Sequence, residues 1–241
     1  MSGRQDELVG NRLALIGAIV YLLEWVAIFS LGEIGPSVPG TSRTEIVQIY
    51  TDHADGQALM AGWFSLVLLG RIALAVGIRD AFRRSPRQLP FADLAVGAMV
   101  VSVVLEIAAF AVAGGAGYLA DQGGDEASIV ALDAAAGWLF LLVFPPIGVF
   151  LAAMSWAVLR SELFPAWMGW LGLVAGVLAI VGGVSSAPAY GTEGFADVTE
   201  ALTSAAAVAF WVWMIAVGIR LYRRSPRDRP VGTSPGAASS A

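Results

Sequence analysis

The sequence predicts an all-α polytopic integral membrane protein, a bundle of six transmembrane helices with a short amphipathic outer helix between the first and second spans. Of its 241 residues, 57% are hydrophobic and only 14% are charged, which lies outside the range of ordinary soluble domains. The apolar residues form six runs. Each run is long enough to cross a hydrocarbon core of about 30 Å at about 1.5 Å per residue.

The polar residues that bound the apolar runs place the six spans. They are expected at about residues 13–31, 58–80, 91–118, 129–159, 166–185 and 198–222. With their connecting loops they form one predicted transmembrane domain over residues 1–222. The segment 223–241 is rich in Pro, Gly, Ser and Ala, so we predict that it is a disordered tail.

The connection between the first two spans contains a helix start signal. Ser42 is followed three residues later by Glu45, which is the spacing of a capping box. Ile46, Ile49 and Tyr50 would then form the apolar face of a short helix. Such a face suits a helix on the outer membrane surface or at the outer mouth of the bundle.

The arginines predict the orientation. All 14 Lys and Arg residues are arginine, and only Arg43 and Arg71 lie away from the chain ends and the loops after the second and fourth spans. Cytoplasmic loops of membrane proteins carry the excess of basic residues. We therefore expect both termini and the tail to be cytoplasmic, in the cell inner (cytoplasmic) membrane. The lipid bilayer is the expected partner, and no nucleic-acid partner is predicted.

The composition excludes several kinds of chemistry. The chain has no cysteine and a single histidine, so sites built on thiolates or on several imidazoles are ruled out. Asp52, His53 and Asp55 share one solvated loop, where surface capping is the favoured interpretation. No phosphate-binding glycine loop, nucleophile motif or H-E-x-x-H is present. We predict no catalytic residue, metal ligand or cofactor, and an enzyme is not favoured.

Three charged residues lie deep inside predicted spans, away from the span ends: Glu24, Arg71 and Glu106. A charge in the hydrocarbon region costs several kcal/mol unless it is paired or hydrated. The three side chains could line a polar pocket or a proton path. Alternatively, Arg71 could extend to the headgroups, or it could pair with Glu24 and leave Glu106 protonated. The sequence leaves these alternatives open.

Two further features fall in the outer half and in the fourth span. Asp133 and Glu200 lie near outer helix ends and are candidates for an outer vestibule, although solvation or the helix dipole would also account for them. Pro145 and Pro146 divide the long fourth apolar run. Because proline lacks a backbone donor, we expect a kink or a helix break there, and freed carbonyls could bind an ion or substrate.

Two sequence stretches carry a family resemblance. They are residues 11–17 (NRLALIG) with 21–23 (YLL), and residues 159–167 (LRSELFPAW) with 170–173 (WLGL). The chain resembles the bacterial multi-span membrane proteins grouped as domain of unknown function 4386. The resemblance implies a similar multi-helix bundle. It carries no activity, and no functional residue can be transferred.

The sequence is consistent with two classes of function. The first is a transporter-like protein that handles a small solute or ion through the charged residues in the spans. The alternative is a non-catalytic membrane sensor or accessory protein that works through its arginine loops and its surface helix. A hydrated cavity beside Glu24, Arg71 and Glu106 would favour the first class, whereas a dry ion pair would favour the second.

Overall fold

The computed structural model describes residues 2–31, 35–37, 40–189 and 193–223. All regular structure in these ranges is α-helical, and six helical stretches are long and apolar enough to cross a membrane. The predicted all-α six-span architecture is confirmed. The predicted disordered tail falls almost wholly outside the described residues, because the last described helix ends at Arg223.

The described residues form ten helices. In chain order they are α1 (Ser2–Leu22), α2 (Glu24–Leu31), α3 (Arg43–Asp52), α4 (Ala54–Val67), α5 (Leu69–Ala81), α6 (Leu89–Asp121), α7 (Glu126–Leu141), α8 (Phe144–Leu159), α9 (Ala166–Ala189) and α10 (Glu193–Arg223). Three spans consist of two consecutive helices: α1 with α2, α4 with α5, and α7 with α8. The other three spans are the single helices α6, α9 and α10.

Glycines allow the helices of two pairs, α1 with α5 and α8 with α9, to pack with their backbones in close contact. A Cβ added at Gly70 of α5 would stand 2.5 Å from the Gly17 carbonyl oxygen and 2.7 Å from the Tyr21 nitrogen on α1. A Cβ at Gly148 of α8 would stand 2.6 Å from the Gly176 oxygen on α9. Small residues are what allow transmembrane helices to pack so closely, since no hydrophobic force drives helices together within lipid.

In each span that consists of two helices, the backbone winds more tightly at the junction. Hydrogen bonds to the third preceding carbonyl occur there, from Leu23 N to Val20 O (3.2 Å), from Arg71 N to Leu68 O (3.0 Å) and from Val143 N to Phe140 O (3.2 Å). Short stretches of this kind inside a helix often mark a hinge or local strain. At the first junction, the indole nitrogen of Trp63 donates to the Leu23 carbonyl at 3.0 Å.

The interruption in the fourth span lies just before the two prolines. Leu142 and Val143 separate α7 from α8, and Pro145 and Pro146 belong to the first turn of α8. Proline is tolerated there because the first-turn N–H groups have no intrahelical partner. The missing N–H groups still remove the usual donors to the carbonyls of Leu141 and Leu142. The span is therefore divided into two helices, and the break precedes the prolines.

The short helix α3 begins where the capping signal indicates. The Ser42 hydroxyl accepts a hydrogen bond from Glu45 N at 3.3 Å. Ile46 and Tyr50 are buried in a cluster with residues of α6 and α7, among them Ala116. Of the two predicted settings for this helix, the structure shows packing on the bundle itself.

Candidate functional site

Arg71 lies on α5 just after the junction at Leu68, and its side chain is 1% exposed. Its Nη2 donates to Glu106 Oε2 on α6 in a buried ion pair. Its guanidinium carbon stands 4.7 Å from the centre of the Tyr21 ring on α1, within the range of a cation–π contact. Arg71 is thus held inside the bundle and does not extend to its rim.

Glu24 is the first residue of α2 and is 7% exposed. Its Oε2 atom is buried and has no hydrogen-bond partner, and the same is true of Arg71 Nε. Buried polar atoms are rarely left unpaired in folded proteins, because an unmade hydrogen bond costs about 1–3 kcal/mol. Two such atoms, on residues that line the same cavity, could bond water or a ligand.

Glu24, Arg71 and Glu106 all line a cavity of about 220 Å³. The rest of its wall is aliphatic or aromatic, and its aromatic members are Tyr21, Phe140, Phe144, Phe210 and Trp211. About 10–15 Å³ is enough for one water molecule. The cavity can therefore hold several waters or a small ligand, and it combines an apolar wall with a few charged groups, as ligand sites usually do.

The helix junctions and the cavity occur at the same level of the bundle. Glu24 follows the α1–α2 junction, Arg71 follows the α4–α5 junction, and Val143 belongs to the α7–α8 junction; all three line the cavity. In membrane proteins, irregular backbone is tolerated where it is buried in protein or borders a cavity. The charged side chains, the cavity and the helix junctions therefore lie close together.

The three charged residues predicted from the sequence are thus brought around one cavity. The ion pair, however, joins Arg71 to Glu106, and the alternative pairing of Arg71 with Glu24 is wrong. Distances along the chain predict how deep a residue lies in the membrane but not which side of its helix faces a given neighbour. Tyr21 was missed, although a hydroxyl one helical turn before Glu24 is a signal that could have indicated it.

Asp133 and Glu200 differ in environment. Asp133 is 4% exposed. It accepts hydrogen bonds from Ser37 N (2.8 Å), the Ser37 hydroxyl (2.5 Å) and the Tyr50 hydroxyl (3.0 Å). It thereby ties the segment 35–37 and α3 to α7. Glu200 is exposed on α10. A shared vestibule of these two residues remains a prediction.

Burial, together with the nearby Asp133 carboxylate, raises the pKa of Tyr50 well above its ordinary value. The Tyr50 hydroxyl therefore keeps its proton at any physiological pH and remains a hydrogen-bond donor. A second tie of the same loop comes from Gly35, whose backbone N–H donates to Gln57 Oε1 at 2.9 Å. Gly35 has φ +107°, which favours glycine.

Asp133→Asn should lower the stability of the protein by about 1–3 kcal/mol. The two carboxylate oxygens now accept hydrogen bonds from Ser37 N, the Ser37 hydroxyl and the Tyr50 hydroxyl. In the variant, the amide NH₂ group would replace one of these acceptors by a donor. The thermal midpoint in detergent, followed by tryptophan fluorescence, would measure the loss. Glu200→Gln is the matched control, and its exposed position predicts a change within about 0.5 kcal/mol. Equal midpoints for the two variants would show that the Asp133 contacts do not hold the loop.

No group of three or more His, Asp or Glu side chains within the described ranges could hold a metal ion. Asp52, His53 and Asp55 are all exposed. In the part of the chain that the structure describes, the buried charged side chains are the three at the cavity and Asp133.

Six apolar helical spans around a buried charged cavity define an integral membrane protein. A family model described as a domain of unknown function (DUF4386) matches residues 15–218. That range covers most of the chain, and the protein belongs to this family. No curated protein matches, and no solved structure matches.

Proposed function

We propose that the protein binds and moves a small solute or ion through the cavity between Glu24, Arg71 and Glu106. The observation that carries this proposal is a cavity of about 220 Å³ lined by Glu24 and Arg71, each of which also has a buried polar atom without a hydrogen-bond partner, Glu24 Oε2 and Arg71 Nε. A bundle packed dry around one ion pair would have favoured a sensor or accessory protein. The junctions in three spans supply places where helices could bend around a bound solute.

Filling the cavity tests this proposal directly. Ala207 lines the cavity, whereas Ala205, two residues earlier on α10, is exposed. Small solutes of varied charge would be screened for a rise in the thermal midpoint, because a ligand present at about 100 times its Kd stabilises a protein by about 2.7 kcal/mol. Uptake of each stabilising solute into liposomes containing the protein would then be measured.

We expect Ala207→Phe to abolish both the stabilisation and the uptake, and Ala205→Phe to leave both unchanged. If no solute stabilises the unmodified protein, or if Ala207→Phe responds like Ala205→Phe, the cavity is not a solute site and the sensor class is favoured.

We also propose that the protein lies in the cytoplasmic membrane of a bacterial cell with both termini inside. The support is the position of the arginines, which gather at the ends of α5, α8 and α10 and the start of α6. α3 and its neighbouring loops would then face outwards.

Single cysteines test this orientation cleanly because the chain has no native cysteine. Cysteines at Thr51, Gln122 and Thr192 should react with an impermeant thiol reagent in intact cells. A cysteine at Ser85, at the arginine-rich end, should react only after permeabilisation. The reverse pattern would invert the proposed topology.

A further inference from the structure

The charges around the cavity do not balance. Two carboxyl groups, Glu24 and Glu106, and one guanidinium, Arg71, line it. Glu106 is already paired with Arg71. When both carboxyl groups are ionised, the group of three carries one net negative charge, and that charge belongs to Glu24. A net buried charge is unfavourable, so one further positive charge at the site would be stabilising.

The wall suits an organic cation. The five aromatic rings that line the cavity are Tyr21, Phe140, Phe144, Phe210 and Trp211. Aromatic faces attract an ammonium group by about 0.5–2 kcal/mol, and cages of such rings are a common way to recognise quaternary ammonium ions. The Tyr21 ring already accepts one cation in this way, the guanidinium of Arg71 at 4.7 Å.

We propose that the ligand of this cavity is a small organic monocation, an ammonium group surrounded by apolar carbon, and that it competes with a proton for Glu24. This inference rests on the proposed function and names the class of its solute. When the cation enters, protonated Glu24 releases its proton to water and the carboxylate pairs with the ammonium. When the cation leaves, a proton returns, so the site exchanges one positive charge for another.

An anionic ligand fits the site poorly. Among the described residues that line the cavity, Arg71 is the only cation, and its Nη2 already donates to Glu106. A ligand carboxylate would add a third negative charge beside two carboxyl groups. The guanidinium has further N–H donors, among them the unpartnered Nε, that could bond a neutral oxygen of the ligand or a water molecule.

The groups that face Glu24 in the cavity determine the pH dependence. They are Tyr21 from α1, Arg71 from α5 and Glu106 from α6, while α7, α8 and α10 contribute only uncharged side chains to the wall. Arg71 stays charged at any attainable pH. A proton on Glu24 should therefore exclude the cation, and affinity should rise with pH by up to about tenfold per unit where Glu24 is protonated.

Three probes of one shape test the charge preference. Choline is the cation. The alcohol in which carbon replaces the nitrogen of choline is the neutral isostere, and the carboxylate obtained by oxidising that alcohol is the anion. Calorimetric titration of the purified protein should show binding of choline alone, with release of about one proton per cation at low pH. Glu24→Gln should weaken choline binding by about 30-fold or more and remove the pH dependence.

A second variant keeps the carboxylate. Trp211→Leu removes one aromatic wall and should weaken choline binding by about fivefold while the pH dependence remains. This variant keeps the test decisive if Glu24→Gln does not fold. Asp93→Asn, which changes an exposed carboxyl away from the cavity, should bind choline as the unmodified protein does.

The outcomes separate this inference from the proposed function. Equal or tighter binding of the neutral or anionic probe would overturn the cation preference and leave the cavity a solute site. Choline binding that is independent of pH would overturn the competition with a proton. If no probe binds and no solute is sensitive to Ala207→Phe, the cavity is not a ligand site and both proposals fail.

Discussion

Glu106→Gln should destabilise the protein by about 3–5 kcal/mol, because it leaves the guanidinium of Arg71 unpaired at a position that is 1% exposed. Arg71→Gln should cost less. The Glu106 carboxyl that it leaves behind can take up a proton, whereas a guanidinium cannot lose its charge. The thermal midpoint in detergent, read from the eight tryptophans of the chain, would measure both changes.

The chain offers a matched control for this pair. Arg79 Nε lies 2.7 Å from Asp93 Oδ1, also between α5 and α6, but the two side chains are 38% and 51% exposed. Asp93→Asn should therefore change stability by no more than about 1 kcal/mol. If Glu106→Gln and Asp93→Asn gave equal, small losses, Arg71 would not depend on its buried partner.

Glu24 supplies a further test of the same charges. It lines the cavity that Arg71 also lines, so it can partly replace Glu106 as a counter-charge. Glu24→Gln alone changes a buried carboxyl that has one oxygen without a hydrogen-bond partner, and it should leave stability nearly unchanged. The double variant of Glu24 and Glu106 should lose more stability than the two single variants together. Simple additivity would show that Glu24 and Arg71 do not interact.

Gly70→Val should destabilise the protein by about 3 kcal/mol or more, enough to reduce the yield of folded protein. The new Cβ would lie 2.5 Å from the Gly17 oxygen and 2.7 Å from the Tyr21 nitrogen. These obstacles are backbone atoms of α1, which cannot move by a change of side-chain rotamer, so the strain falls at the upper end of what overpacking usually causes. The fraction of monodisperse protein after detergent extraction and its thermal midpoint would measure the effect.

Gly97→Val is the control for this substitution. Gly97 lies on α6, is exposed, and has no atom within 4 Å of the position of an added Cβ. Its replacement should leave yield and midpoint close to those of the unmodified protein. Because Gly70 precedes Arg71 and contacts the backbone of Tyr21, Gly70→Val should also disturb the contact of Arg71 with Tyr21. Equal behaviour of the two variants would contradict the close packing of α1 on α5.

The sequence was sufficient for the features that depend on local composition. Long apolar runs predict spans because a helix must satisfy its own backbone in lipid. The start of α3 follows from the Ser42 and Glu45 spacing, since a cap involves only neighbouring residues. Glu24, Arg71 and Glu106 could be identified as unusual because any charge in an apolar span requires an explanation.

Other features depend on contacts between distant parts of the chain. Hydropathy indicates how deep a residue lies in a span but not which neighbour it faces, so only the tertiary structure could pair Arg71 with Glu106 and leave Glu24 Oε2 unpaired. Leu68 is neither proline nor glycine, so its residue type does not indicate the junction there. The burial of Asp133 depends on Ser37 and Tyr50, which lie 96 and 83 residues earlier.

The sequence by itself determined that the chain is a six-span helical membrane protein with three charges deep inside its apolar spans, because length, hydropathy and charge are properties of consecutive residues. The tertiary structure decided that these three charges border one aromatic-lined cavity and that, of the two carboxyl groups there, only Glu24 has a buried oxygen, Oε2, without a hydrogen-bond partner. That outcome depends on which faces of α1, α2, α5 and α6 meet, and such faces are set by close packing between helices.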